Sequence, residues 1–207
     1  MSAAALPTKP ALRLYLAMYL GLHALFAVVY GGANWLAARH ANPMHYYAAW
    51  EREVAFVPMM IYPYMSIALL FWAPLFLLDE SRMRRLGLAA TVCMLVAGLC
   101  FVFAPGIYAF AIAPAMPPAG TLEASLFAAM RTLDQPYNTA PSLHVALSTL
   151  FVLAVRTGKL SALFFVWLGA IIVSVLLVHQ HHLFDVFTGA LLGAGCYAAF
   201  CRDSART

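Results

Sequence analysis

Six long apolar runs alternate with short polar connections along the chain, at about 12–38, 54–78, 86–103, 141–156, 160–178 and 182–201. Each comes near or passes the roughly 20 residues that carry an α-helix across the hydrocarbon core of a bilayer. The second run has no charge between Val54 and Leu78. Its Pro58, Pro63 and Pro74 predict a bent helix, because each proline removes a backbone donor and crowds the preceding turn. The third run stops at Ala104-Pro105-Gly106. The longest connection follows, about 104–140, rich in Pro and Gly, with one short amphipathic stretch at Thr121–Leu133. The run after Lys9 and Arg13, Leu14–Ala38, is too long for a cleaved signal segment and is expected to stay as the first span. The pattern predicts an all-α fold, a polytopic bundle of six transmembrane helices in a single domain over residues 1–207.

Composition changes the solvent rather than the fold. Hydrophobic residues make up 64% of the chain and charged residues 10%, against about 25% charged in a soluble domain. Too little polar surface is present to coat a water-facing globule, so the surroundings are lipid. The net charge of +4 is spread in twos and threes beside apolar runs, which is membrane anchoring and not a nucleic-acid surface. One set of connections and termini holds Lys9, Arg13, Arg82, Arg84, Arg85, Arg156, Lys159, Arg202 and Arg206; the other holds Arg39, Arg52 and Arg131. This asymmetry predicts both termini in the cytoplasm and the connections 39–53, 104–140 and 179–182 facing outward. The expected location is the inner (plasma) membrane of a bacterium, with that face toward the periplasm or exterior. Cys93, Cys100, Cys196 and Cys201 lie inside apolar runs without metal-ligand spacing and read as core filler.

The candidate chemistry gathers on the outward side. His179, His181 and His182 stand just before the sixth run, and Asp185 follows in its first turn. A carboxylate in an apolar helix costs up to about 2.5–3.5 kcal/mol at mid-bilayer, so something must offset it. His181 and Asp185, four residues apart, would share one face of a helix. The carboxylate would then fix the imidazole tautomer and leave the other nitrogen as a base or nucleophile. The plain alternative is an acidic residue that merely favours a helix N-terminus. A second segment, Tyr137-Asn138-Thr139-Ala140-Pro141-Ser142-Leu143-His144, opens the fourth run. Asn138 or Thr139 is the expected N-cap, with Pro141 in the first turn and His144 one turn inside. Two histidine-bearing helix N-termini on one face make an anion site, and the set suits phosphoryl transfer through a phosphohistidine.

Pro-Ser-Leu-His (141–144) and His-His-Leu-Phe-Asp (181–185) followed by Val-Phe-Thr-Gly resemble the second and third motifs of the type 2 phosphatidic acid phosphatase superfamily. The resemblance implies His181 as nucleophile, Asp185 as its orienting partner, His144 as the acid that protonates the leaving group, and Ser142 as a phosphate ligand. It departs from the family in two places. Ser174 stands where that third motif has serine, but Val175 stands where it has arginine, and the Arg-Pro of the first motif is absent. Loss of these residues, with Pro-Ser-Leu-His and the Phe-Val-Pro of Trp50–Tyr64, is similar to the branch of inositol phosphorylceramide and sphingomyelin synthases, which transfers phospho-alcohol headgroups. Arg131, the one basic residue of the long outward connection, is a candidate phosphate clamp or an interfacial arginine pairing with Asp134. Asn138 and His182 are further candidate substrate contacts.

The expected function is a membrane lipid phosphatase or phosphotransferase acting on a lipid phosphate or phosphodiester, with the lipid bilayer as surroundings and neither metal nor cofactor. Two alternatives stand beside it. A non-enzymatic lipid transporter, or a member that has lost activity, would explain the missing basic clamp. A metal-dependent membrane hydrolase would use His179, His181, His182 and Asp185 as ligands, although adjacent His181 and His182 would point about 100° apart on a helix.

Overall fold

A computed structural model describes residues 7–39, 42–110, 116–133, 137–156 and 158–202; His40, Asp134 and Arg206 lie outside them. Among the described residues the regular structure is helical, with one isolated bridge between Met44 and Gly106. The elements are α1 (Lys9–Ala37), α2 (Ile61–Met65), α3 (Ile67–Leu70), α4 (Ala73–Leu77), α5 (Glu80–Phe103), α6 (Leu122–Leu133), α7 (Leu143–Val155), α8 (Ser161–Leu177) and α9 (Leu183–Cys196). A π turn over Tyr197–Cys201 extends α9. By length and composition, Lys9–Ala37, Glu80–Phe103 and Leu183–Cys201 are long and apolar enough to cross a membrane, while Pro58–Leu70, Leu143–Val155 and Ser161–Leu177 are apolar but shorter.

Local chemistry sets the helix ends. Thr8 caps α1 by accepting from the Ala11 amide at 3.3 Å, with Pro10 in the first turn. Asp79 caps α5 through the Arg82 amide at 2.9 Å. That cap starts α5 at Glu80, before the apolar run predicted from 86, because a capped polar turn is helical without being apolar. The second run is more than bent. It is divided into α2, α3 and α4, with breaks at Ser66 and at Phe71–Trp72. Pro63 and Pro74 each withhold an amide from the helical ladder, and Ser66 Oγ donates to the Pro63 carbonyl at 2.6 Å.

The largest apolar core centres on α5. Ala90, Cys93, Met94 and Ala97 pack with Leu150 and Phe151 of α7, Ile171 of α8 and Tyr30 of α1. Arg82, expected only as a topology anchor, also donates to the Ala154 carbonyl near the end of α7 at 3.0 Å. α7 and α9 approach each other closely. A β-carbon on Gly189 would lie 2.5 Å from the Ser142 carbonyl oxygen, and one on Gly193 would collide with the Ala146 carbonyl. Small residues four apart let two helix backbones approach this way without a hydrophobic driving force. One end of the bundle therefore collects the N-termini of α7 and α9, joined by the Ser142 amide donating to the Asp185 carbonyl at 2.9 Å. The C-terminal part of α1 reaches the same end through Asn138, whose side-chain amide donates to the Tyr30 carbonyl at 2.9 Å.

Candidate active site

The N-terminus of α7 begins later than its sequence suggests. Ser142, not Asn138 or Thr139, is the N-cap, and its hydroxyl accepts from the Val145 amide at 3.3 Å. Pro141 disfavours helical backbone at Ala140, so no helix capped by Asn138 or Thr139 can run through that position. His144 is consequently the second residue of α7, not one turn inside. Its Nε2 lies 3.0 Å from the Tyr64 carbonyl oxygen, and its ring stacks on Tyr64 at 4.1 Å. A carbonyl can only accept, so Nε2 carries the proton and Nδ1 is the nitrogen left for other work. The first-turn amides of Leu143 and His144 have no partner within their own helix.

His181 reaches the same end by a different route. α8 finishes in a reverse turn in which the Gln180 amide donates to the Val175 carbonyl and the His179 amide to the Leu176 carbonyl, both at 3.1 Å. The residue that turns left-handed in this arrangement is usually glycine; here it is His179, with φ 58°. Its place is held by Nε2 against the Val54 carbonyl at 2.8 Å and by a face-to-face stack on Phe110 at 4.0 Å. Burial pushes the His179 pKa below its ordinary value, opposed by the Val54 carbonyl. The His181 amide also donates to the Val175 carbonyl, at 3.1 Å, so the histidine sits in the turn and not on a helix face as expected. Nδ1 of His181 is 3.4 Å from Oδ2 of Asp185, close but not aligned as a hydrogen bond. The pair is thus made by the loop entering α9 rather than by helical periodicity.

The N-terminus of α9 is occupied by protein carboxylates. Asp185, 1% exposed, accepts from the His182 amide at 2.9 Å through Oδ2. Glu51, also buried, accepts from the Leu183 amide at 2.7 Å and from the Ala48 amide at 2.8 Å. The two helix ends are therefore capped differently: in α9 the His182 and Leu183 amides go to carboxylates, and in α7 the Val145 amide goes to the neutral Ser142 hydroxyl. Glu51 carried no recognisable signal, since Trp50-Glu51-Arg52-Glu53 reads as a solvated charge run. The one hint was negative. His182 is a poor N-cap, so the amides behind it needed an acceptor from elsewhere.

His144, His181 and Asn138 line one cavity of about 290 Å³. The rest of its wall is mainly apolar, from Tyr64, Met65 and Phe71 to Ala90, Met94, Leu147 and Phe151, with His23 among the residues that α1 contributes. Ser142 and Asp185 stand behind these residues. His182 faces away: its Nδ1 is 3.5 Å from Glu51 Oε2, and its ring stacks on Tyr47 and Phe110, each at 4.5 Å. Arg131 lines a second cavity, of about 360 Å³, with His179, Gln180, Tyr108 and Phe110. Met130 belongs to both walls, so the two cavities adjoin. Among the described residues, no three His, Cys, Asp or Glu side chains form a group that could hold a metal ion.

With two imidazoles on one cavity wall, a carboxylate behind one of them and helix amides beside the other, the set can bind an oxyanion and move protons. The family model of the PAP2 superfamily matches residues 35–199, a stretch that includes all of these groups. The chain belongs to the PAP2 superfamily. No curated protein and no solved structure matches it. PAP2 membership supports a phosphatase-type enzyme acting on lipid phosphates, and the apolar helices fit a membrane protein. Val175, where the resemblance of the third motif would place arginine, is buried in this PAP2 chain among Ile61, Tyr64, Phe127, Met130 and Val145. Two of those neighbours, Phe127 and Met130, come from α6, the helix that carries Arg131.

Proposed function

We propose that the protein is a lipid phosphatase or headgroup phosphotransferase that works through a phosphohistidine on His181, nearest the inositol phosphorylceramide and sphingomyelin synthase-like branch. The observation that carries this reading is the single cavity with both histidines at one end and apolar walls along the rest. A lipid phosphorus seated between the imidazoles would leave its hydrocarbon in that apolar space. Nε2 of His181 attacks phosphorus, the N–P bond forms as the P–O bond to the leaving group breaks, and His144, entering as the imidazolium with its second proton on Nδ1, gives that oxygen its proton. Water or an alcohol then attacks the phosphohistidine, yields its proton to His144, and restores free His181. Asp185 orients His181, and the α7 amides behind Ser142 receive the phosphate oxygens, with Asn138 as a further polar contact. Arg131 supplies the positive charge that Val175 does not, from the adjoining cavity. No metal takes part in this scheme.

The membrane placement belongs to the same proposal: one domain of six spans, both termini cytoplasmic, and the histidines on the periplasmic or outer side of a bacterial inner membrane. The excess of Lys and Arg at the other ends of the helices supports it. Mass spectrometry of membrane lipids with and without the protein tests the reading as a whole, by showing which headgroup appears or vanishes. Incubation with a phosphorus-labelled lipid tests its mechanism. Acid-labile label on residue 181, absent from His181→Ala, is expected; a folded wild type that binds lipid, takes no label and turns none over is a carrier instead.

A further inference from the structure

Away from the histidines, the first cavity ends differently from its walls. The walls mix adaptable side chains, among them Leu22, Met65, Met94 and Leu147, with single rings such as Phe26 and Phe151. At the far end Tyr15 and Tyr19 line the cavity and pack on each other and on Trp72, which backs them from outside its wall, with ring centroids 5.3–5.7 Å apart. Tyr15 is fully buried, and its hydroxyl donates to the Phe71 carbonyl at 3.1 Å. The Phe71 ring in turn leans on Phe151 at 4.8 Å. Rings interlocked in this way and pinned by a backbone hydrogen bond do not part as a methionine or leucine does.

The depth of the cavity matches one kind of occupant. Tyr30, whose carbonyl is held by Asn138 beside the histidines, and Tyr15 both line it. They are fifteen residues apart on α1, about 22 Å of helix axis at ~1.5 Å per residue. One leaflet of the hydrocarbon core is about 15 Å deep, half of ~30 Å. The aromatic block lies deeper than one leaflet, so only a long hydrocarbon chain, extended from a polar end at the histidines, reaches it.

We propose that this chamber encloses one straight acyl chain of the lipid substrate, and that the block of Tyr15, Tyr19 and Trp72 sets the longest chain it admits. The proposal rests on the reading of the histidine end as the phosphorus site. The occupant is an acyl chain because the space is lined mainly by apolar side chains, with His23 the one imidazole away from the phosphorus end, and is continuous with that polar end.

The test is a series of saturated lipid phosphates differing only in chain length, assayed in detergent, with the ratio of rates for long over medium chains taken within each form of the protein. Tyr19→Ala opens the block and is expected to raise that ratio. Leu147→Trp and Ala68→Trp fill the chamber from two different helices and are expected to lower it by about tenfold or more, the scale on which apolar pockets discriminate by size. Two blocking variants on different elements guard against a folding defect in either one. A parallel mass-spectrometric measurement reads the chain lengths of lipid retained by each purified form, without any need for turnover. Rate ratios and retained lipids that are the same in all forms overturn the chamber while leaving the phosphatase reading intact. Retained chain lengths that shift as expected in a protein that turns over nothing sustain the chamber and overturn the reading of the histidines.

Discussion

The N-termini of α7 and α9 lie side by side at one end of the bundle, and each brings a histidine to the same cavity, yet they are built in opposite ways. α7 is capped by a neutral hydroxyl, Ser142, and its histidine rests on a backbone carbonyl. α9 is capped by two carboxylates, and Asp185 stands at 3.4 Å from His181. A helix end whose amides are held by carboxylates repels a second anion, whereas a helix end capped only by a neutral hydroxyl attracts one. The contrast divides the labour. α7 is suited to receive phosphate oxygens and α9 to sharpen an imidazole, and Gly189 and Gly193 let the two sit close enough to act on one group.

Breaking the α9 half has the largest expected effect. His181→Ala is expected to lower turnover by about 10⁴-fold or more, with an unchanged thermal transition in detergent, since the residue lies in a turn and not in the packed core. Residual activity within tenfold of wild type contradicts the nucleophile assignment. Next is the contact that joins the halves. Gly189→Ala places a methyl 2.5 Å from the Ser142 carbonyl and forces α7 and α9 apart, with an expected loss of about 10²-fold in rate. Gly195→Ala, where the space is open, is expected to be silent in the same assay. If both substitutions behave alike, the close approach is not what aligns the site.

Smaller effects sharpen the comparison. Glu51→Ala orphans the Leu183 amide and is expected to lower stability by about 1–3 kcal/mol, read as a lower thermal midpoint, whereas Glu51→Gln, which keeps an acceptor, loses less. Ser142→Ala removes a neutral cap, and about 1 kcal/mol is the expected loss. His179 gives the smallest signal, through pH. Its folded pKa is depressed, so the stability it contributes is complete above the ordinary histidine value of about 6.5 and is lost as pH falls below it, where the unfolded chain takes up the proton first. Thermal midpoints measured from neutral to mildly acid pH are expected to fall less steeply in His179→Gln than in wild type.

How far these features could be read in advance depended on whether their cause was local. The helical fold was readable because apolar runs long enough for a bilayer need no partner to identify them. The pairing of His181 with Asp185 was visible from their spacing, but its geometry was not. It depends on a left-handed turn at His179, where glycine is the usual marker, and on a loop rather than a helix face. The late start of α7 could have been foreseen from Pro141, which bars helix at the residue before it. Glu51 could not, because it meets Leu183 across 132 positions and its neighbours disguise it as surface. The apolar surroundings of Val175 follow from α6 folding over it, a long-range contact that no periodicity announces.

The central claim is that the imidazoles of His144 and His181 grip one phosphorus between them. An experimental structure of the protein with orthovanadate, a mimic of the phosphoryl group in flight, tests it most directly. The account predicts vanadium bonded to Nε2 of His181, its oxygens on the Leu143 and His144 amides, and the His144 ring on the side of the departing oxygen. Vanadate bound elsewhere, or the two rings separated by packed protein, would contradict it.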